Sequence, residues 1–223
     1  MILGLTGGYC AGKNAAAELL AERGWTCIDL DRLGHEALAL KAREVIELLG
    51  PGVVRKVGPS SMPTAPGALP ELDRRAIGAL VFADPELMKR YEAIVQPAML
   101  ALLDKAIEAC DIQPEARVCI NAAILYKIPH AARCDTILEL RAGLCTRLRR
   151  SRARDGLGMR RALERIASQK PLWIKAQRYA DRRIILRNDG DRKALAAALD
   201  QALNKASSFS PSTSKLVAAE NKP

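Results

Sequence analysis

Apolar positions along this chain fall into short unbroken runs separated by longer stretches of helical period. Residues 1–6 form an apolar run that ends in glycines, and residues 13–22 follow with strong helix formers, so the opening predicts strand, loop, helix. Residues 26–30 (TCIDL) predict a second strand. A helix over 31–49 is expected to stop at Gly50-Pro51-Gly52, where proline and glycine punctuate the chain. Residues 53–70 carry four prolines and no clear period, which predicts an irregular loop. Helical character resumes over 72–109, with breaks expected near Asp84-Pro85 and Gln96-Pro97. Residues 117–120, 136–140 and 183–186 predict further strands. Helices are expected over 143–167, interrupted at Asp155-Gly156, and over 191–205. Strands alternating with helices predict an α/β domain with a mostly parallel sheet. Residues 206–223, rich in Ser, Pro and small side chains, predict a disordered tail.

Composition narrows the class. No apolar run approaches the roughly 18 residues of a membrane span, so no membrane association is expected. The six cysteines are scattered without a C-x-x-C pair, which suits reduced thiols and a cytoplasmic location. The two histidines, His35 and His130, are too isolated for a histidine-based metal site. A net charge of +10 favours polyanionic partners. Nucleic acid, a membrane surface and highly phosphorylated small molecules all fit that charge; aromatics make up only 4% of the chain, so stacking platforms for single-stranded nucleic acid are scarce and nucleic acid is not the expected partner. Nothing in the pattern assigns an oligomeric state.

Gly7-Gly8-Tyr9-Cys10-Ala11-Gly12-Lys13-Asn14 matches G-x-x-x-x-G-K-[ST] at every fixed position but the last. Gly7 and Gly12 permit backbone angles that turn successive N–H groups toward a phosphate. Lys13 adds a full positive charge, and the helix that follows presents its positive end. A plain glycine turn with a solvated Lys13 is the bland alternative; the strand before and the helix after favour the phosphate loop. The expected ATP contacts are Gly8, Tyr9, Cys10, Ala11, Gly12, Lys13, Asn14 and Ala15. Asn14 stands where a hydroxyl normally meets Mg2+, and its amide oxygen is expected to serve the cation directly or through water.

Asp29 and Asp31 end the second strand, at the sheet edge where α/β sites lie. Asp31 is the candidate general base for a phosphoryl acceptor and Asp29 a candidate for the metal's water shell. The plainer reading has Asp31 capping the next helix. Residues 147–165 hold eight arginines. Arg150 and Arg154 share one helical face, suited either to phosphate oxygens or to a solvated basic surface.

These motifs together resemble the dephospho-CoA kinase family. GLTGGYCAGKN resembles its GLTGGIGSGKS, CIDLD its VIDAD, and Leu72-Asp73-Arg74 with Val81-Phe82 its LDR and VF segments. Arg150, Arg154, Arg165 and Gln169 fall on its lid pattern, and Asn188 with Gly190 on its N-x-G. The resemblance implies a P-loop nucleoside-kinase-like three-layer fold with a parallel sheet, a helical substrate lobe and an arginine-rich lid. It implies one kinase domain over 1–205, with core 1–52 and 115–205, a CoA lobe at about 71–110 and a lid at about 143–169. ATP and dephospho-CoA are the implied substrates, with Mg2+. Asp31, Lys13 and Arg150 are the implied catalytic residues. Arg150, Arg154 and Asn188 would contact ATP, Asn188 beside its base, and Asp31, Arg74 and Gln96 would contact the acceptor. Several positions depart from the pattern. Asn14 replaces Ser or Thr, Gln96 stands for a His before Pro97, and His35 stands for an Arg. Ala123 and Lys127 replace the proline and the acid of P-L-L-x-E. Another small-molecule P-loop kinase, or a catalytically impaired nucleotide-binding protein with a basic docking surface for RNA or protein, are the alternatives.

Overall fold

The structure, a computed structural model, describes residues 1–55, 70–110, 116–156 and 158–209. The chain divides into two compact units, one of Met1–Ile28 and Gln113–Pro223, the other of Asp29–Ile112.

The first unit is built on a sheet of β1 (Ile2–Gly7), β2 (Thr26–Asp29), β3 (Val118–Asn121), β4 (Thr136–Arg141) and β5 (Arg183–Arg187), in the order β2-β3-β1-β4-β5. β1 runs parallel to both β3 and β4, and β4 parallel to β5. β1 and β3 are buried almost throughout, which explains why they read as continuous apolar runs rather than alternating ones. One face of the sheet is covered by α1 (Lys13–Ala21) and α9 (Arg192–Phe209). Leu3, Leu5, Leu19, Leu20, Trp25, Leu138, Leu140, Leu195 and Leu199 meet in that core. Arg192 spans from α9 to Glu18 and Glu22 on α1, at 2.9 and 2.5 Å. The final helix extends to Phe209, past the expected end at 205, so 206–209 belong to it; the remainder of the expected tail lies outside the described residues.

The second unit is helical: α2 (Leu30–Leu40), α3 (Ala42–Leu49), α4 (Arg74–Ala83) and α5 (Pro85–Cys110). The single helix expected over 31–49 is two helices parted at Lys41. The expected break at Asp84 is present, but the one at Pro97 is not: α5 runs for 26 residues straight through it. The proline removes one backbone hydrogen bond and costs roughly 3 kcal/mol in a helix interior. Val95, Met99, Leu103 and Ile107, four residues apart, bury one continuous stripe across that point. At about 1.5–3 kcal/mol per buried side chain, the stripe outweighs the proline. Most of the loop expected over 53–70 lies outside the described residues; its ends are joined by an antiparallel bridge between Val54 and Leu72.

Among the described residues, no helix is long and apolar enough to cross a membrane. Leu103 is fully buried, so Leu103→Ala is expected to destabilise the fold by about 2–5 kcal/mol in urea unfolding. Leu40, which is 57% exposed, should cost less than about 0.5 kcal/mol on the same change.

Candidate active site at the phosphate loop

The turn after β1 takes the form its glycines allow. A Cβ at Gly7 would lie 2.9 Å from the carbonyl oxygen of Leu140, so glycine is what lets β1 and β4 end side by side. Gly12 sits at φ 97, a left-handed angle that favours glycine, and a Cβ there would lie 2.1 Å from Nδ2 of Asn188. Between them, Ala11 N–H donates to the Gly8 carbonyl at 2.9 Å and Cys10 is also left-handed at φ 58. Gly12 is the N-cap of α1, which has no side-chain cap and no acid in its first turn. Its leading N–H groups and positive dipole end are therefore directed at the loop without a competing carboxylate, as an anion site requires.

Lys13 is held by β3: its Nζ donates to Oδ1 of buried Asn121 at 2.6 Å. Asn14 is exposed on the first turn of α1, and Ala15 is half-buried beside it. The loop carbonyls are taken by donors from elsewhere in the unit. Asn188, buried just past β5, donates from Nδ2 to the Ala11 carbonyl at 2.8 Å. Its Oδ1 lies 3.4 Å from Nη2 of Arg150, which also reaches the Gly190 carbonyl at 3.3 Å. Asn188 thus spends both ends of its amide inside the protein, as a brace under the loop.

The arginine segment forms α6 (Leu144–Asp155) and α7 (Met159–Ser168), parted at Gly156 in a left-handed conformation. Arg147 Nε donates to the Tyr9 carbonyl at 2.7 Å, and burial pulls its guanidinium pKa downward. Arg154 pairs with neighbouring Asp155 through Nε and Nη2 at 2.8 and 2.9 Å. The Arg154 bond first, and then a bond from the Tyr9 hydroxyl, hold the Asp155 carboxyl down at about 2. A cavity of about 310 Å³ opens beside the loop, lined by residues that include Gly8, Glu139, Arg141, Arg147 and Trp173. It sits at the carboxyl ends of β1 and β4, where the strand order reverses, the usual place for a ligand in such sheets.

Glu139 was not singled out by the sequence, although a lone acid in the apolar run TILEL is a signal that a buried charge has partners. It is fully buried and accepts from Arg141 Nε at 2.5 Å, Tyr126 Oη at 2.9 Å and Arg183 at 3.4 Å. Burial, and then the Glu139 charge, push the Tyr126 hydroxyl well above its ordinary range.

Asp29, Asp31, Arg74 and Gln96 all belong to the second unit. Asp29 is the N-cap of α2, accepting from the N–H groups of Asp31 at 2.9 Å and Arg32 at 3.4 Å. The capping role that the plainer reading gave to Asp31 thus falls to Asp29, because the backbone is still extended there and turns helical one residue later. Asp31 is exposed in the first turn. Arg74, at the start of α4, donates to Nε2 of His35 at 2.7 Å. Gln96 is half-buried on α5.

Two outcomes follow. Gly12→Ala is expected to abolish nucleotide binding measured by calorimetry, since the new methyl meets both a left-handed backbone and Asn188. In a carbon-detected NMR titration Asp155 is expected to protonate with a midpoint near 2 rather than the ordinary 3.8. Because its folded pKa is depressed, its contribution to stability is present above 3.8 and is lost as pH falls through about 2.

Comparison with known proteins agrees with this geometry. The family model for dephospho-CoA kinase matches residues 1–194. A dephospho-CoA kinase of Gloeobacter violaceus is 34% identical over 92% of this chain and 93% of its own length. That of Anaeromyxobacter dehalogenans is 33% identical over 91% and 90%. Among solved structures, TT1252 from Thermus thermophilus superposes with a TM-score of 0.73 at 32% identity, covering 92% of this chain and 97% of that one. A dephospho-CoA kinase from Campylobacter jejuni, 17% identical, shares the fold with a TM-score of 0.64 over 93% and 97%. With a phosphate loop on the expected strand and helix and a match along nearly its whole length, this chain belongs to the dephospho-CoA kinase family.

Proposed function

We propose that this chain transfers the γ-phosphoryl group of ATP to the ribose 3′-hydroxyl of dephospho-CoA, giving coenzyme A and ADP, the last step of coenzyme A synthesis. The family match over residues 1–194 carries the reading. The loop from Gly8 to Ala15 supports it, with Lys13 steadied by Asn121 and a helix start free of acids. In this reading the loop amides and Lys13 hold the β- and γ-phosphates. Arg150 and Arg154, on one face of α6, offset charge that develops on the transferred group. Asp31 takes the proton of the attacking hydroxyl; Asp29 already caps α2, so capping is not what Asp31 is there for. Arg74, oriented by His35, and Gln96 contact the acceptor. Asn188 acts on ATP through the loop it braces. The reaction is placed in the cytoplasm, and the helical lobe over about 71–110 and the arginine lid over about 143–169 are assigned to CoA and ATP respectively.

An ATP-using kinase needs a divalent cation, and Mg2+ fits the donors present. No group of three or more His, Cys, Asp or Glu side chains among the described residues could cage an ion. Mg2+ asks for little of that kind, since it keeps several waters and relies on substrate phosphates. The exposed Asn14 amide oxygen on the first turn of α1 would hold it, directly or through water. When bound, the cation neutralises phosphate charge and orients the oxygens for in-line transfer.

ADP formation with Mg2+ is expected to require dephospho-CoA and to exceed that with nucleosides or nucleotides at equal concentration. Asp31→Asn is expected to lower kcat by about 10²–10⁴-fold, the usual size of general base catalysis, while the circular dichroism spectrum is kept. No stimulation by dephospho-CoA would sink the assignment, and ATP binding without turnover would favour a nucleotide-binding protein in its place.

A further inference from the structure

Tyr9 lies inside the phosphate loop, yet its polar groups are engaged by residues of the arginine segment and by Gln169. Its N–H donates to Oε1 of Gln169 at 2.6 Å, and its carbonyl accepts from Arg147 at 2.7 Å. Its hydroxyl lies 3.0 Å from Oγ of buried Ser151 and donates to the carboxylate of Asp155. The ring lies under two guanidiniums, Arg154 at 5.3 Å and Arg165 at 5.5 Å from its centre. Asp155 joins the same two arginines, bonding Arg154 twice and pairing with Arg165 at 3.7 Å. One side chain of the phosphate loop therefore touches both arginines and the carboxylate that links them.

We propose that the Tyr9 side chain is a positioning residue for phosphoryl transfer, setting Arg154 and Arg165 over the phosphate loop through Asp155 and through its own ring face. Two long cationic side chains brought side by side repel each other and lose rotamer freedom. The Asp155 carboxylate cancels the repulsion, and the electron-rich face of the Tyr9 ring favours both cations at one place. Because Tyr9 belongs to the loop that cradles the phosphates, the arginines are indexed to the loop itself rather than to a distant part of the fold. Gln169 adds a second tie: its side-chain oxygen occupies a loop N–H, a position at which a phosphate oxygen would compete with it. This inference rests on the kinase reading above for its rate measurements, so its test includes a measurement that needs no acceptor.

Tyr9→Phe keeps the ring and removes only the hydroxyl, and Asp155→Asn removes the charge it meets. Tyr9→Phe is expected to lower kcat about tenfold, the scale of one hydrogen bond to a charged group, and to leave KM for dephospho-CoA within about twofold. The double variant should be no slower than the slower single one, since both act through one link. Separately, a non-hydrolysable ATP analogue should slow tryptic cleavage within residues 147–165 of the wild type, with most of that protection lost in Tyr9→Phe. Unchanged kcat and unchanged protection in Tyr9→Phe overturn the proposal, as do single effects that multiply in the double variant. If the wild type fails to phosphorylate dephospho-CoA yet shows Tyr9-dependent protection, the acceptor assignment falls and the role of Tyr9 stands.

Discussion

A phosphate cradle made of backbone N–H groups turns the carbonyls of the same peptides the other way, and each of those needs a donor of its own once it is buried. That constraint organises much of the first unit. Ala11 is 1% exposed, so water cannot serve its carbonyl, and Asn188 from the end of β5 does so instead. The Tyr9 carbonyl is met by Arg147 from α6, and Arg150 braces Asn188 from behind. Strand order, the length of β5 and the placement of the arginine helix all bear on the five residues between β1 and α1. The close fit of Asn188 against Gly12 shows the cost of this arrangement, because neither position has room for a larger neighbour.

Charge is handled by the same economy. The chain carries a net charge of +10, and much of the excess stands in residues 147–165. Left alone, such a cluster would repel itself. Asp155 links Arg154 and Arg165, and its own acidity is strengthened by them. On the cavity wall, fully buried Glu139 sits among Arg141, Arg183 and the Tyr126 hydroxyl. A buried carboxylate without such partners would be strongly destabilising. Acids thus lie at two places beside the cavity and the loop, each tied to arginine.

How much of this could be read from the sequence depended on the range of the interaction. The phosphate loop was legible because its chemistry is local: glycines at fixed spacing, a lysine, then a helix. β1 and β3 were legible because burial on both faces makes them almost continuously apolar. Pro97 misled, since proline is a strong local signal and the packing that overrides it comes from elsewhere in the helical unit. Asp31 was open to two readings because Asp29 and Asp31 are chemically identical, and only the extended backbone at Asp29 separates cap from first turn. The contacts of Tyr9 with Ser151, Asp155 and Gln169 span 142 to 160 residues of chain and leave no trace in local pattern. Glu139 left a faint one, a single acid in an apolar run.

Asn14 is best understood against that accumulation of fixed cations. A serine or threonine hydroxyl at this position serves a metal whose main task is to offset phosphate charge. Here Lys13 is held by Asn121, Arg147 and Arg150 bond to Tyr9, Ala11 and Asn188 in the loop or its brace, and Arg154 lies over the Tyr9 ring. In the proposed reaction, each guanidinium that reached the phosphates would take a part of the charge that otherwise falls to the metal, with fixed geometry. Under the proposed reaction, the demand left for the protein's own metal ligand is orientation more than binding strength. In the proposed reaction, a neutral amide oxygen on the first turn of α1 would meet a demand of that size, with a bound Mg2+ keeping most of its waters.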